Sequence, residues 1–510
     1  DALMKLSELF SDEGFESSVP PEKDGDVTGV SIDSRRVKPG HVFFAIKGCR
    51  QDGRRFISDA VKRGAVAVVS EKTSEDDAGG AYGDWDGVFN IESTDVRKLA
   101  GETAAIFFGR PSAAMEVVGI TGTNGKTTTA YITGSILTEA GKQPGLLTTV
   151  EYRVGARTIP AARTTPDAPE LQSLLAQMVA SGCKSAVMEV SSHAIVQKRV
   201  AGVEYDVGIF TNLTRDHLDY HGTMEDYFKA KVPLFKMLCA GSAGKNSRAV
   251  INIDDPWGRR LLETESMEAE TISFGAGVDA MVRAENVKLG STGTSFRACT
   301  PWGDIDVRTR LLGRFNVSNT LAAIAACGAL GTEMECIAGA LPEVTCVRGR
   351  IEEVKTGRDF KVFIDYAHTD DALEHVLGTL REICAGRLIA VFGCGGNRDR
   401  SKRPAMGRAG ARLADYCVIT SDNPRNEDPE EIINEIKSGF DEEQSDSKAE
   451  LETITDRAEA IAVALKRAGR GDIVVVAGKG HENFQEFANR TVSFDDRSVV
   501  RKALGLDGAA

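Results

Sequence analysis

Residues 119–129 read GITGTNGKTTT, and the apolar run Val117-Val118-Gly119-Ile120 leads into them. From Lys126 onward Ala130, Ile132, Ile136 and Leu137 give an apolar helical face, so the stretch reads as strand, glycine-rich turn, helix. Gly122-Thr123-Asn124-Gly125-Lys126-Thr127-Thr128 has the make-up of a phosphate-binding loop. Its glycines let backbone N–H groups turn inward toward an anion, and the helix N-terminus adds favourable partial charge. Lys126 would reach the outer phosphates and the Thr127 hydroxyl would ligate Mg²⁺. The loop is the shorter GxxGKTT form, because the commonest form needs a glycine where Ile120 stands. A turn that merely joins strand to helix has no need of Gly, Lys and Thr in this order, so the chain is expected to use ATP.

Working outward, 510 residues predict about three domains at about 100 to 200 residues each. Hydrophobic content of 42% and charged content of 27% suit a globular enzyme. A formal charge of −13 argues against general affinity for nucleic acid or anionic membranes, though not against an anionic small substrate in a basic pocket. No apolar run approaches the roughly 20 residues of a membrane span. The start DALMKLSELFSDEG has neither a cationic nor a long apolar signal segment, so a cytoplasmic location is expected. The ten cysteines are scattered with no CxxC pair, which suits reduced thiols.

Three blocks are expected, 1–111, 112–344 and 345–510, all α/β. The first alternates strand-like runs (residues 41–46 and 65–69) with helical patterns but has no nucleotide loop, and reads as a substrate-recruiting domain. In the second, the P-loop strand is followed by a helix over 169–181, strands over 185–190 and 205–212, and helix through Lys231. That order predicts a central P-loop ATPase-like parallel sheet with ligand loops at the strand C-termini. The third, with strands over 360–365, 388–393, 416–420 and 473–477, reads as a Rossmann-like doubly wound unit. Gly393-Cys394-Gly395-Gly396 and Gly478-Lys479-Gly480 follow strands there, and residues 441–448 read as a solvated surface loop.

Met188-Glu189-Val190-Ser191-Ser192-His193 is a buried strand ending in a carboxylate, which places Glu189 to hold Mg²⁺ beside the P-loop; capping a helix is the alternative. The run 211–221, TNLTRDHLDYH, carries His217 and His221 beside another strand end, where a lone histidine is more often structural than a ligand.

GTNGKTTT, MEVSSHA, TNLTRDHLDYHG, YFKAK, GRFNVSNTLAA, DYAHT and GKGHE, in that order and covering nearly the whole chain, resemble the Mur ligase family of peptidoglycan precursor synthesis. The resemblance is nearest to members that add meso-2,6-diaminopimelate to the D-Glu of UDP-N-acetylmuramoyl-L-alanyl-D-glutamate. It implies a lysine at Lys231 carbamylated by CO₂, with Lys229 the competing candidate. A carbamate is an anionic oxygen donor for a hard cation, whereas an ammonium is repelled. It further implies two Mg²⁺ ions held by Thr127, Glu189, His217 and carbamylated Lys231, and ATP contacts from Asn316, Arg350 and Asp365. The nucleotide-sugar peptide would meet Ile32, Ser34, Cys49, Arg50 and Gln51 of an N-terminal UDP-binding domain, then Thr164, Thr165, Ser191, Gln197 and Arg199. For Ser34 and 49–51 ordinary turn residues remain an alternative.

Diaminopimelate would be read by Asp422-Asn423-Pro424-Arg425, with Arg398, Gly478 and Glu482 completing the pocket. In isolation that stretch is a turn, but by the resemblance its arginine pairs with the distal carboxylate, which lysine lacks. Asp370, where the family often has proline, and Arg163 depart from the pattern. The expected partners are small molecules, and a monomer is expected. A lysine-adding relative and a folylpolyglutamate synthetase-like ligase stand as alternatives, and an ATP-hydrolysing switch as a third.

Overall fold

The computed structural model describes residues 4–11, 19–48, 51–71, 87–238, 245–265, 267–344, 346–443 and 447–506. Three sheets organise them. The first has four parallel strands in chain order, Gly29–Ser31, His41–Phe44, Ala65–Glu71 and Phe89–Ser93. Its helix Val96–Phe107 buries Val96 and Ala100 against that sheet's core.

The second sheet has eleven strands, and the P-loop strand Glu116–Thr121 lies inside it between Ser185–Glu189 and Val207–Phe210, parallel to both. All three strands are apolar on both faces because helices cover both sides, which is why they read as continuous apolar runs. The loops after these neighbouring strands open at one edge, so the P-loop, Glu189 and the run after Phe210 converge there. The parallel expectation holds for the middle of the sheet only. Glu151–Val154 and Arg157–Pro160 form an antiparallel hairpin at one end, and Val282–Gly290, Gly293–Cys299 and Ile305–Thr309 an antiparallel meander at the other. One outermost strand ends in Pro160, and the other alternates buried Ile305 and Val307 with exposed Asp306 and Arg308.

The third sheet runs Glu352–Val354, Lys361–Asp365, Ile473–Ala477, Leu388–Phe392, Tyr416–Ile419, Glu450–Thr453, parallel apart from its first pair. The mixed α/β class read from the sequence is therefore the class observed. One local expectation needs correction: Asp441 to Glu443 end the helix Pro429–Glu443 rather than starting a loop, because Ile432, Ile433, Ile436 and Phe440 keep an apolar stripe on the sheet. Residues 444–446 lie outside the described residues. Among the described residues no helix is long and apolar enough to cross a membrane.

Arg457 and Asp496 are both fully buried, joined by Nε–Oδ1 and Nη2–Oδ2 bonds of 2.8 Å, and Arg457 also donates to the Ala477 carbonyl at 3.0 Å. The pair anchors the strand end that leads into Gly478. Removing one member leaves a buried charge without its partner, so Asp496→Ala should cost about 3–5 kcal/mol, and Arg457→Met/Asp496→Ala should recover much of that loss. Urea unfolding of both variants checks this; equal midpoints for the single and double variants would contradict it.

Candidate functional site

The P-loop wraps its own lysine. Lys126 Nζ donates to the carbonyls of Gly122 at 2.9 Å and Thr123 at 2.7 Å. Gly125 has φ +86°, and a Cβ there would stand 2.3 Å from Asn319 Oδ1, so only glycine permits this approach of loop to helix. Thr127 heads the helix Lys126–Glu139, and its hydroxyl donates to Glu189 Oε1 at 2.8 Å. Glu189 also accepts from the Thr149 amide at 2.8 Å and the Thr149 hydroxyl at 3.0 Å. Both of its oxygens are thus held beside the loop, and the helix-capping alternative is set aside.

Lys231, in the helix Met224–Lys236, is 1% exposed and its Nζ donates to the same Gly122 carbonyl at 3.1 Å, 4.6 Å from the Tyr227 ring centre. Burial, then the charge of Lys126, pushes its ammonium well below the ordinary lysine value, which favours the free amine. Lys229 points to solvent and pairs loosely with Glu225 at 3.5 Å, so geometry separates the two candidates. His217 adopts φ +54° and sits 3.3 Å from Asp216, its ring against His193. Burial lowers its proton affinity, leaving a neutral imidazole. His221 instead bonds the Ser192 hydroxyl at 2.9 Å and stacks on Tyr227.

Hard oxygen donors at Thr127 and Glu189 and a neutral nitrogen at His217 suit Mg²⁺; Lys231 fits only as an anion. Among the described residues no three His, Cys, Asp or Glu side chains gather closely enough to hold an ion unaided. An ion placed here would need further donors, of which the Thr127 hydroxyl is one.

Beyond Glu189, Thr165 donates to the Glu189 carbonyl at 2.8 Å, the Thr164 and Thr149 hydroxyls lie 3.2 Å apart, and Ser191 caps the helix Ser192–Val196. Arg199 is clamped by Gln197 at 2.7 Å, the Thr165 carbonyl at 3.1 Å and Asp167 at 3.3 Å. These five expected residues therefore form one connected group. Ile32, Ser34 and Gln51 follow strands of the first sheet, while Cys49 and Arg50 lie outside the described residues.

The third domain reaches into the site. Arg350 Nη2 donates to Thr127 Oγ1 at 3.2 Å, its guanidinium 4.5 Å from the Tyr366 ring centre. Asn316 is buried and accepts from Asn319 at 3.0 Å, and it is Asn319 that touches the P-loop. Asp365 is buried with its two oxygens accepting from the amides of Ile351 at 2.6 Å and Ala367 at 2.7 Å, so its carboxylate chiefly shapes the backbone. The departure at Asp370 acquires a role: it pairs with Arg215 at 2.6 Å, while Asp371 accepts from Asn124 at 2.9 Å and the Thr214 hydroxyl at 3.0 Å. Sequence reading missed Asn319, although its spacing of three from Asn316 put both on one helical face.

A cleft between the two domains is lined by Asp216 and His217 on one side and Arg398, Asp422, Asn423, Arg425, Gly478 and Glu482 on the other. Arg425, at φ +52°, donates to Glu486 at 3.0 Å and to the Gly396 carbonyl at 2.8 Å. Pro424 is buried beneath it. Fully buried Arg403 grips Glu427 and Glu435 and braces this loop. At Gly478, φ is +115° and a Cβ would lie 2.6 Å from Asp422 Oδ2.

Comparison with known proteins follows the same division. Residues 26–118 match the family described as Mur ligase family, catalytic domain; residues 120–327 match the Mur ligase middle domain; residues 349–480 match the Mur ligase, glutamate ligase domain. The chain is 44% identical over 482 residues to the UDP-N-acetylmuramoyl-L-alanyl-D-glutamate--2,6-diaminopimelate ligase of Geobacillus kaustophilus, covering 94% of this chain and 95% of that protein. A solved structure of a ligase of that name is 32% identical and superposes with TM-score 0.69, covering 100% of both chains. Mycobacterium tuberculosis folylpolyglutamate synthase, complexed with ADP and AMPPCP, shares the fold at TM-score 0.62 and 19% identity over 79% of this chain and 94% of its own.

Six of the seven histidines (41, 193, 217, 221, 368 and 481) have their proton affinity lowered, each chiefly by burial. The unfolded chain therefore binds more protons than the folded one below an unfolded histidine pKa of about 6.5, and stability falls as pH drops. Calorimetry from pH 8 to pH 5 should show a falling Tm whose slope grows as the pH drops through and below the unfolded histidine value; a flat profile would refute this.

Proposed function

The chain belongs to the Mur ligase family, whose members are ATP-dependent ligases, and we propose that it joins meso-2,6-diaminopimelate to the D-Glu of UDP-N-acetylmuramoyl-L-alanyl-D-glutamate. The observation that carries this reading is the shared cleft, which sets Asp216 and His217 of one domain opposite Arg425, Asn423 and Glu482 of the other. Residues 1–111 would hold the nucleotide-sugar, 112–344 the ATP and the acceptor carboxylate, and 345–510 the incoming amine.

A D-Glu carboxylate oxygen attacks the γ-phosphorus, the bond to the β-bridging oxygen breaks, and ADP departs. The amine nitrogen then attacks the acyl carbon, loses a proton and displaces inorganic phosphate. Lys126, Arg350 and the helix N-terminus offset charge on the phosphates, and Arg199 with Thr164, Thr165, Ser191 and Gln197 orients the peptide carboxylate. Thr127, Glu189, His217 and Lys231, the last as its CO₂-derived carbamate, would hold Mg²⁺, which when bound screens the repulsion between carboxylate and phosphate. Asn316 and Asp365 would frame the nucleoside, Asp365 through the loop amides it holds.

Arg425 carries the specificity. Its Nε and Nη1 are fixed by Glu486 and Gly396, while Nη2 has no partner among the described residues. A distal carboxylate would complete it, whereas the side chain of lysine offers no anion and leaves Nη2 without a charge-assisted bond.

Phosphate release with ATP, Mg²⁺ and the UDP-muramoyl dipeptide tests the reading, with diaminopimelate and L-lysine compared as amines and the amide identified by mass. Turnover with diaminopimelate is expected; turnover with lysine alone would transfer the chain to the lysine-adding relatives, and amine-independent release would make it an ATPase switch. Arg425→Ala should raise the diaminopimelate KM about a hundredfold with little change for ATP. Lys231→Ala should lower kcat by about a hundredfold or more, with partial rescue by added small carboxylates. Wild-type rates in that variant would remove the carbamate from the reaction.

A further inference from the structure

Lys479 lies between two glycines directly after a parallel strand, a place where a lysine would ordinarily be read as gripping a ligand anion. The structure gives it another task. Its side chain is completely buried, and Nζ donates to Glu482 Oε2 at 3.0 Å and Asn423 Oδ1 at 3.1 Å, with Asp422 Oδ1 at 3.9 Å. Asn423 is tied on both ends: its Oδ1 also accepts from the Glu486 amide at 3.0 Å, and its Nδ2 donates to Glu482 Oε2 at 2.8 Å. All three polar residues line the cleft, whereas the lysine sits behind them.

We infer that Lys479 is a positioning residue for the amine substrate, acting through Glu482 and Asn423; this rests on reading the cleft as the amino-acid site. Two carboxylates, Asp422 and Glu482, are crowded into one partly desolvated wall and repel each other. A buried ammonium between them offsets that repulsion, and its hydrogen bonds fix one rotamer of Glu482 and one orientation of the Asn423 amide. The one ammonium bonds two residues that line the cleft, so its loss reaches the amine subsite and leaves the P-loop untouched. The ammonium makes no contact with the cleft surface itself, which separates it from Arg425 and Arg398.

The test uses the full chain, with Mg²⁺-ATP, the UDP-muramoyl dipeptide and varied diaminopimelate, and compares wild type with Lys479→Met, Lys479→Arg, Glu482→Gln and the Met/Gln double variant. Lys479→Met should raise the diaminopimelate KM about tenfold while the ATP KM stays within about threefold, and Lys479→Arg should recover part of the loss. Because both substitutions break one arrangement, the double variant should fall within about twofold of Glu482→Gln alone. An unchanged diaminopimelate KM, or losses that multiply in the double variant, overturns the inference. If Lys479→Met does not fold, Lys479→Gln, which keeps a donor for Asn423 without the charge, takes its place under the same criteria. Wild-type turnover with lysine instead of diaminopimelate would overturn the Arg425 reading alone, and the same variants would then be judged by the lysine KM.

Discussion

One carbonyl oxygen, that of Gly122, accepts from both Lys126 and Lys231, and the rest of the site is arranged around that crowding. Two ammonium groups sharing one acceptor would repel each other, and because the repulsion is screened poorly in a buried setting, Lys231 is driven toward its neutral amine. An anion relieves it: nucleotide phosphate for Lys126, or conversion of Lys231 to a negatively charged group. The neighbouring helix start, the Thr127 hydroxyl and Glu189 make the same place favourable to phosphate with its counter-ion.

The P-loop is also where two domains touch. Arg350 reaches Thr127 from one direction, and Asp371 takes the Asn124 side chain from another, with Arg215 and Asp370 paired beside them. A contact of this kind converts the presence of third-domain residues into a change at the phosphate site. It also narrows the cleft in which an acyl phosphate, unstable toward water, would wait for its amine.

What could be read from the chain follows from how far each signal extends. The parallel strands 116–121, 185–189, 207–210 and 473–477 are buried on both faces, so each announces itself as an apolar run within a few residues. That Glu189 and Lys231 lie against the P-loop follows the motifs that carry them. The antiparallel ends of the central sheet were not, since their strands alternate and pair across turns that carry no apolar run. Asp371 with Asn124, separated by 247 positions, and Lys479 with Asn423 depend on the completed fold. No local pattern distinguishes a buried lysine that braces a wall from one that holds a phosphate. For Asp365 the strand-end position was legible, but the amides that occupy its oxygens come from a loop fourteen residues upstream and from two residues on.

The two ends of the eleven-stranded sheet carry a different meaning. Broad sheets with open borders invite another chain to add on, because unpaired N–H and C=O groups form a ready template. Here one border strand finishes at Pro160, which has no amide hydrogen to offer, and the other shows Asp306 and Arg308 outward, charges a flat apolar neighbour could not match. Strand addition by a further chain is thereby discouraged at both margins of the sheet.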